Sequence, residues 1–205
     1  MYNNITGIIL AGGKSLRMGT NKALLPFRDT TIIEYIAGIM KSLFKNVIII
    51  TNSPEEYEFI DLKKFEDIIS QKGPLSGIHS GLTYSNTDKN FIISCDIPLI
   101  TPELISYIIE YPTKKPITVV KADGFVQQLC GVYDKSCLTN ANELLLKLDE
   151  NSTGKSKCKV LALIENIGAE IINSEAIPCY KDGMFLNINR IEDYKKAFNV
   201  PNNYY

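Results

Sequence analysis

Residues 5–25 read ITGIILAGGKSLRMGTNKALL, and this segment joins a strand-like run to a glycine-rich turn. The run at 8–11 has the length and β-branched content of a buried strand. Gly12 and Gly13 follow it directly, and adjacent glycines let the backbone turn sharply and approach a ligand closely. Successive N–H groups in such a turn can form an anion-binding concavity. The segment therefore predicts a strand followed by a loop that binds an anionic ligand.

Cations follow these glycines closely. Lys14, Arg17 and Lys22 lie within nine residues and supply charge for several phosphates. A tight turn with solvated lysines is the alternative, but a strand, two glycines and spaced cations together favour a phosphate site. The loop lacks the G-x-G-x-x-G spacing of a dinucleotide fingerprint. Residues 154–156, Gly-Lys-Ser, are no P-loop either, because Asp149 stands where its first glycine belongs.

Short apolar runs alternate with helical patterns along the chain, which predicts a mostly parallel sheet covered by helices. Thr31 and Glu34 form the pattern of a capping box at the start of the first helix. Strands are expected near 8–11, 47–50, 65–69, 91–95, 116–121 and 125–133. Helices are expected near 32–43, 54–60, 77–84, from 102, and near 140–148, 155–164 and 191–198. No repeat or linker divides residues 1–205, so one domain is expected.

The composition argues against several classes of function. The net charge is −1 and the pI is about 5.9, so bulk binding to nucleic acid or to an anionic membrane is not expected. The five cysteines are odd in number and include no C-x-x-C pair, which predicts reduced, mostly buried thiols. No signal peptide or membrane-spanning run is recognisable, so a cytoplasmic location is expected.

Asp96 is the candidate metal ligand. It follows the strand expected at 91–95, and Thr101 with Pro102 begins the next helix. Ligands of open α/β sheets collect at the carboxyl edge of the strands, so Asp96 and the glycine loop should face one ligand. Magnesium prefers carboxylate and phosphate oxygens and often takes only one or two protein ligands. A turn-forming aspartate near a proline is the alternative.

Asn187 and Asn189 form a second polar pair, in the segment FLNIN at 185–189. If this segment is extended, both amides project to the same side and can hold a metal-bound water or a phosphate. Asn189 has an alternative role as the cap of the last helix.

His79 is the chain's only histidine and has no nearby partner suited to acid–base chemistry. It is expected to be structural or solvent-facing. A solvated face, rather than contact with an anionic acceptor, is expected for three lysines: Lys155, Lys157 and Lys159.

The loop carries a longer signature. Residues 10–24, LAGGKSLRMGTNKAL, fit L-A-G-G-x-S-x-R-M-G-x-x-K-x-L, and here the chain resembles the molybdenum cofactor guanylyltransferase family of nucleotidyltransferases. The resemblance continues at 73–77 (GPLSG), 95–98 (CDIP) and 187–189 (NIN), and it is thin between about 134 and 183. It implies a three-layer Rossmann-like nucleotidyltransferase α/β fold, with a mostly parallel central sheet flanked by helices. The nucleotide-binding part would span about 1–100 and the acceptor-binding part about 101–205.

The resemblance also implies roles for individual residues. Lys22, Arg17 and Asp96 would be catalytic, with Asp96 holding Mg²⁺, and Asp67 would face the guanine. Gly13 favours a guanine nucleotide, because related cytidylyltransferases usually carry alanine there. Contacts to GTP would come from Leu10, Ala11, Gly12, Gly13, Lys22, Asp67, Gly77 and Asp96.

The acceptor side matches the family less well. Gln127 fits a polar position that would bind the acceptor, although Gln128 stands where the family carries proline.

The implied reaction transfers GMP from GTP to the terminal phosphate of molybdopterin or the molybdenum cofactor, and pyrophosphate leaves. No general base is needed, because the second pKa of a phosphomonoester is about 6 and the acceptor is already largely ionised. Maturation proteins and target molybdoenzymes are the partners that the resemblance suggests.

Alternatives at this point are a nucleotidyltransferase with another base or acceptor, or a nucleotide-binding partner protein without catalysis. The first class includes a molybdopterin cytidylyltransferase, a cobinamide-phosphate guanylyltransferase and a sugar-phosphate enzyme.

Overall fold

A computed structural model describes residues 1–12, 21–70, 72–147 and 159–201. Its strands are β1 Tyr2–Leu10, β2 Pro26–Phe27, β3 Thr30–Thr31, β4 Phe44–Ile50, β5 Lys63–Phe65, β6 Lys89–Ser94, β7 Ile117–Ala122, β8 Phe125–Asp134 and β9 Glu170–Asn173. Its α-helices are α1 Ile32–Leu43, α2 Pro74–Tyr84, α3 Pro102–Glu110, α4 Leu138–Leu146, α5 Lys159–Ile167 and α6 Ile191–Phe198. Single 3₁₀ turns occur at Lys22–Leu24, Pro54–Tyr57, Lys135–Cys137 and Ser174–Ala176.

Seven of these strands form one mixed, mostly parallel sheet in the order β5-β4-β1-β6-β8-β7-β9. β1 pairs in parallel with β4 and β6, β4 with β5, and β7 with β9. β8 runs antiparallel to β6 and β7. The expected fold class is confirmed, and the antiparallel β8 brings its own N-terminal end to the edge where β1 and β6 end.

Helices cover both faces of the sheet. On one face Ile9, Ile49 and Phe91 share a core with α1 and α3, and on the other Ile8, Ile48 and Ile92 share a core with α2, α4 and α5. Neighbouring residues of a strand point to opposite faces, so the apolar runs of the central strands supply both cores. The three-layer arrangement follows from this burial on both sides.

The predicted capping box of α1 is confirmed. Glu34 Oε2 accepts the Thr31 backbone N–H at 2.9 Å, and Thr31 Oγ1 accepts the Glu34 backbone N–H at 3.4 Å. The predicted start of α3 is confirmed too, because Thr101 Oγ1 accepts the Leu104 N–H and Pro102 follows at the first helical position. The antiparallel strands β7 and β8 are joined by a turn at Asp123-Gly124, both with positive φ (54° and 80°), as a tight two-residue hairpin requires.

Three element predictions need correction. The strand expected at 65–69 ends at Phe65, because the Asp67 N–H donates to the Asn52 side chain at 3.0 Å instead of continuing the strand pairing. The helix expected at 54–60 is one 3₁₀ turn, Pro54–Tyr57. α2 begins at Pro74 rather than Gly77, since a proline at the first helical position lacks only an N–H that has no partner within the helix.

The remaining whole-chain predictions concern the thiols and the membrane. Cys95, Cys130 and Cys137 are free and buried and Cys179 is free and half-buried, while Cys158 lies outside the described residues. No helix in the described parts of the chain combines the length and apolar character needed to cross a membrane.

Candidate active site

The central strands end together at one edge of the sheet. Leu10, the last residue of β1, pairs with Ile50 of β4 and with Ser94 of β6. The chain therefore leaves β1 at Gly12 beside the point where it leaves β6 at Asp96. This register confirms that β1 and β6, which Gly12 and Asp96 follow, end at the same edge of the sheet.

Asp96 lies at this edge, two residues after the end of β6. Ser94 Oγ donates to Asp96 Oδ1 at 2.6 Å, and the Asp96 carbonyl accepts the Ile188 N–H at 2.9 Å. Burial raises the pKa of Asp96 above its usual value, while the Ser94 hydroxyl, the Lys22 charge and the Asn187 side chain act in the opposite direction. A partly buried carboxylate surrounded by groups that favour its charged form is suited to binding a cation.

The side chain of Lys22 also lies close to Asp96. Lys22 is the first residue of the 3₁₀ turn Lys22–Leu24, and its Nζ donates to Asn189 Oδ1 at 3.1 Å. These two residues are 167 positions apart in sequence. The fold thus brings Lys22, Asp96, Asn187 and Asn189 together from three distant segments.

Asn189 does not cap the last helix. The cap residue of α6 is Arg190, and Asp193 Oδ2 accepts the N–H groups of Asn189 and Arg190 at 3.1 and 2.9 Å. Asn189 lies one residue before the cap residue Arg190, and its side-chain oxygen accepts from Lys22 rather than from a helix N–H. The alternative role for Asn189 as a cap is therefore wrong.

Asn187 carries an unsatisfied oxygen. Its side chain bonds to Asp96, yet its Oδ1 is buried and has no hydrogen-bond partner among the described residues. Buried polar atoms are rarely left unpaired, so an absent ligand is a natural partner for it. With Asp96 and Asn189, it makes a set of one carboxylate and two amide oxygens.

This donor set fits magnesium. No three acidic, cysteine or histidine side chains cluster as metal ligands in the described ranges. Magnesium at a phosphate site does not need such a cluster, because it takes one or two carboxylates and completes its shell with phosphate oxygens and water. Asp96 with neighbouring amide oxygens meets that requirement.

Asp67 lies at the end of β5 and is held by Asn52. Asn52 Nδ2 donates to Asp67 Oδ2 at 2.8 Å, which complements the backbone bond from Asp67 to Asn52. Burial raises the pKa of Asp67, and the Asn52 bond and His79 counter the rise. A Cβ at Gly77 would lie 3.1 Å from Leu10 Cδ2 and 3.8 Å from Asp67 Oδ1, so Gly77 joins these residues at one place.

Sequence reasoning missed two residues that the structure adds. Asn52 orients Asp67, and Ser94 donates to Asp96. The signal was present in each case, since Asn52 follows the end of β4 and Ser94 ends β6, both at the carboxyl edge of the sheet. His79 is 8% exposed within α2, and its Nδ1 has no hydrogen-bond partner in the described part of the chain.

Gln127 and Asn187 line one pocket. Gln127 Nε2 donates to the Ala122 carbonyl at 3.2 Å. The pocket has a volume of about 170 Å³ and mixed polar and apolar walls, from Pro74, Ile97, Val126, Gln127, Gln128, Leu129, Val160 and Asn187. Asn187 is common to the pocket and to the Asp96 group, so the two regions adjoin.

Some predicted site residues cannot be compared with the structure. Gly13 and Arg17 lie outside the described residues, as do Lys155 and Lys157. The described part of the loop ends at Gly12, which is exposed and has open space around the position of a Cβ.

Comparison with known proteins identifies the family of this chain. The profile of the MobA-like NTP transferase domain matches residues 7–161. Two curated relatives, from Clostridium perfringens strain SM101 and Carboxydothermus hydrogenoformans, are each named probable molybdenum cofactor guanylyltransferase. The first is 35% identical and covers 91% of this chain and 92% of its own, and the second is 32% identical and covers 96% of both.

The fold has solved counterparts. The crystal structure of molybdopterin-guanine dinucleotide biosynthesis protein A from Archaeoglobus fulgidus superposes with a TM-score of 0.78 at 18% identity, covering 94% of this chain and 96% of that one. At this identity the likeness concerns the fold. Together with the profile match and the identities of the curated relatives, it shows that the chain belongs to the MobA-like NTP transferase domain family.

Proposed function

We propose that this protein transfers GMP from GTP to the terminal phosphate of molybdopterin or the molybdenum cofactor, forming the guanine dinucleotide cofactor and pyrophosphate. The observation that carries the proposal is the meeting of Lys22, Asp96, Asn187 and Asn189 beside the glycine loop. The names of the curated relatives support the choice of nucleotide and acceptor. The proposal treats residues 1–205 as one nucleotidyltransferase domain.

The nucleotide lies along the carboxyl edge of β1, β4 and β5 in this proposal. Leu10, Ala11, Gly12 and Gly13 contact it with backbone groups, as a glycine turn after a strand allows. Asp67 accepts from the N1–H and the 2-amino group of guanine, while Asn52 fixes the carboxylate. Gly77 lies beside this contact, because a Cβ there would press on Leu10 Cδ2 at 3.1 Å and would touch Asp67 Oδ1 at 3.8 Å.

The triphosphate meets the charged residues. Lys22 and Arg17 neutralise the phosphates and the departing pyrophosphate. Asp96, with the amide oxygens of Asn187 and Asn189, would hold magnesium. When bound there, this ion supplies positive charge to phosphate oxygens.

The acceptor occupies the pocket lined by Gln127. Its phosphate oxygen attacks the α-phosphorus of GTP, a new P–O bond forms, and the bond to the bridging oxygen of pyrophosphate breaks. Because the phosphate is already ionised, the protein's contribution is alignment and charge stabilisation rather than proton removal. The adjoining positions of the pocket and Asp96 support this alignment.

The direct test is ligand-induced stabilisation followed by turnover. GTP with magnesium at 100 times its dissociation constant should add about 2.7 kcal/mol to the free energy of unfolding, and CTP, ATP and UTP should add much less. Incubation with GTP and molybdopterin should then release pyrophosphate. Preferential stabilisation by CTP, or GTP binding without transfer to molybdopterin, would overturn the proposal.

A further inference from the structure

Asn21 is anchored by its whole side chain. Its Oδ1 accepts the Ala23 N–H at 3.1 Å, and its Nδ2 donates to Tyr57 Oη at 2.8 Å and to Glu56 Oε2. Asn21 Oδ1 faces the Ala23 N–H donor, and Asn21 Nδ2 faces the Glu56 carboxylate. An ionised carboxylate accepts hydrogen bonds and cannot donate them. The amide therefore has one orientation that satisfies all three contacts.

Tyr57, the partner of Asn21, lies beside the ends of the sheet strands β4 and β5. Tyr57 is 3% exposed, and burial raises its pKa to about 12, so its phenol stays protonated at neutral pH. The side chain of Thr51, the first residue after β4, lies near this hydroxyl and partly offsets the rise in its pKa. The Thr51 N–H in turn donates to the Phe65 carbonyl at 2.9 Å. Asn21 is thus tied to the ends of two strands.

Asn21 directly precedes Lys22. It caps the 3₁₀ turn Lys22–Leu24, so its contacts fix where that turn starts. Lys22 then extends to Asn189 at 3.1 Å. Residues 13–20 lie outside the described chain. Asn21 is therefore the first described residue after the glycine pair, and its contacts hold the chain immediately before Lys22.

We propose that Asn21, Glu56 and Tyr57 form a latch that positions Lys22 for the transfer reaction, an inference that rests on the proposed function. The latch requires an amide at position 21. An aspartate has the same shape but no donor, and its carboxylate would face the carboxylate of Glu56. Repulsion would replace the attraction and release the start of the turn.

A negative charge introduced at position 21, and its compensation at position 56, test the latch. N21D should lower kcat by about tenfold or more with a smaller change in KM for GTP, the scale of losing a hydrogen bond to a charged group. N21D/E56Q should recover to within about threefold of the wild type, because the amide introduced by E56Q can donate to the carboxylate introduced by N21D. N21D/E55Q is the matched control, since Glu55 is exposed and adjacent, and it should stay as slow as N21D.

The Lys22 background separates positioning from general damage. If the latch acts through Lys22, N21D should cost nothing further in a K22A protein. A further tenfold loss there, or failure of E56Q to repair N21D, would overturn the inference. Y57F, which removes the hydroxyl but keeps the ring, should lower kcat without the charge conflict, and wild-type turnover in Y57F would also contradict the latch.

A readout without turnover keeps this inference distinct from the proposed function. The rate of covalent amine labelling at Lys22, measured by mass spectrometry on the folded protein, should rise in N21D and fall back in N21D/E56Q. Unchanged labelling in N21D would overturn the latch. A wild type that fails to transfer GMP while its labelling follows the predicted pattern would overturn the proposed function alone.

Discussion

Replacing Lys22 by alanine should slow GMP transfer by about 10²-fold. Lys22 is half-buried, and its Nζ is held 3.1 Å from Asn189 Oδ1 beside Asp96, so its charge is preorganised where the triphosphate is proposed to lie. Loss of one preorganised group of this kind typically costs about 10²–10³ in turnover, and 10² corresponds to about 2.7 kcal/mol in the activation barrier.

The loss should fall mainly on kcat. Pyrophosphate gains charge as it leaves, so the lysine stabilises the transition state more than the bound nucleotide. Affinity for GTP should weaken by only about fivefold, since a partly exposed ion pair contributes about 1 kcal/mol. Removing the lysine also removes a charge that lowers the pKa of Asp96 in the metal-free protein.

The assay is pyrophosphate release with saturating GTP, magnesium and molybdopterin. Lys45→Ala is the matched control, because Lys45 is an exposed lysine near the start of β4, at the opposite edge of the sheet, and its loss should leave turnover unchanged. Turnover of Lys22→Ala within threefold of the wild type, or a loss confined to KM, would refute the reasoning.

Three further predictions follow from the same contacts. Asp96→Ala should lower turnover by about 10² or more and remove the dependence of GTP-induced stabilisation on magnesium; near-normal turnover would contradict the metal assignment. Burial lowers the pKa of His79 below 6.5 although Asp67 opposes the shift, so the unfolded chain binds more protons between the two values and stability should fall as pH drops through that window. Because the chain has one histidine, His79→Gln should flatten this part of the stability profile in urea unfolding at pH 7.5 and 5.5, and an unchanged slope would count against it. Gly131→Ala should cost up to about 3 kcal/mol, since its Cβ would lie 2.4 Å from the Thr118 carbonyl oxygen inside the sheet, and an unaltered melting temperature would exclude that clash.

The parts of the site that depend on a single strand end could be predicted from sequence. The apolar run before Gly12 marks β1, and the run before Asp96 marks β6. Parallel strands place their carboxyl ends at one edge, so a shared edge for these two segments was predictable, while the pairing of β1 with β6 was given by the structure. The caps of α1 and α3 were predictable for a similar reason, because their donors and acceptors lie within one turn of each other.

Contacts between distant segments could not be predicted in this way. Asn189 was expected either at the site or as a helix cap; in the structure the cap residue is Arg190, and the Asn189 side-chain oxygen accepts from Lys22. Asp67 was expected inside a strand, and only the bond from its N–H to Asn52 ends that strand at Phe65. Neither outcome is visible in periodicity, because both depend on contacts between segments that are distant in sequence.

Sequence alone therefore determined the layered α/β architecture, the position of the glycine pair after β1, and the position of Asp96 after β6. Periodicity and local capping carry this information, since they depend on residues within a few positions of one another. The tertiary structure decided that Asn189 meets Lys22 across 167 positions, that Asn187 meets Asp96, and that Asn21 is fixed by Tyr57. Those contacts exist because the packed sheet sets the relative positions of chain segments that no local pattern relates.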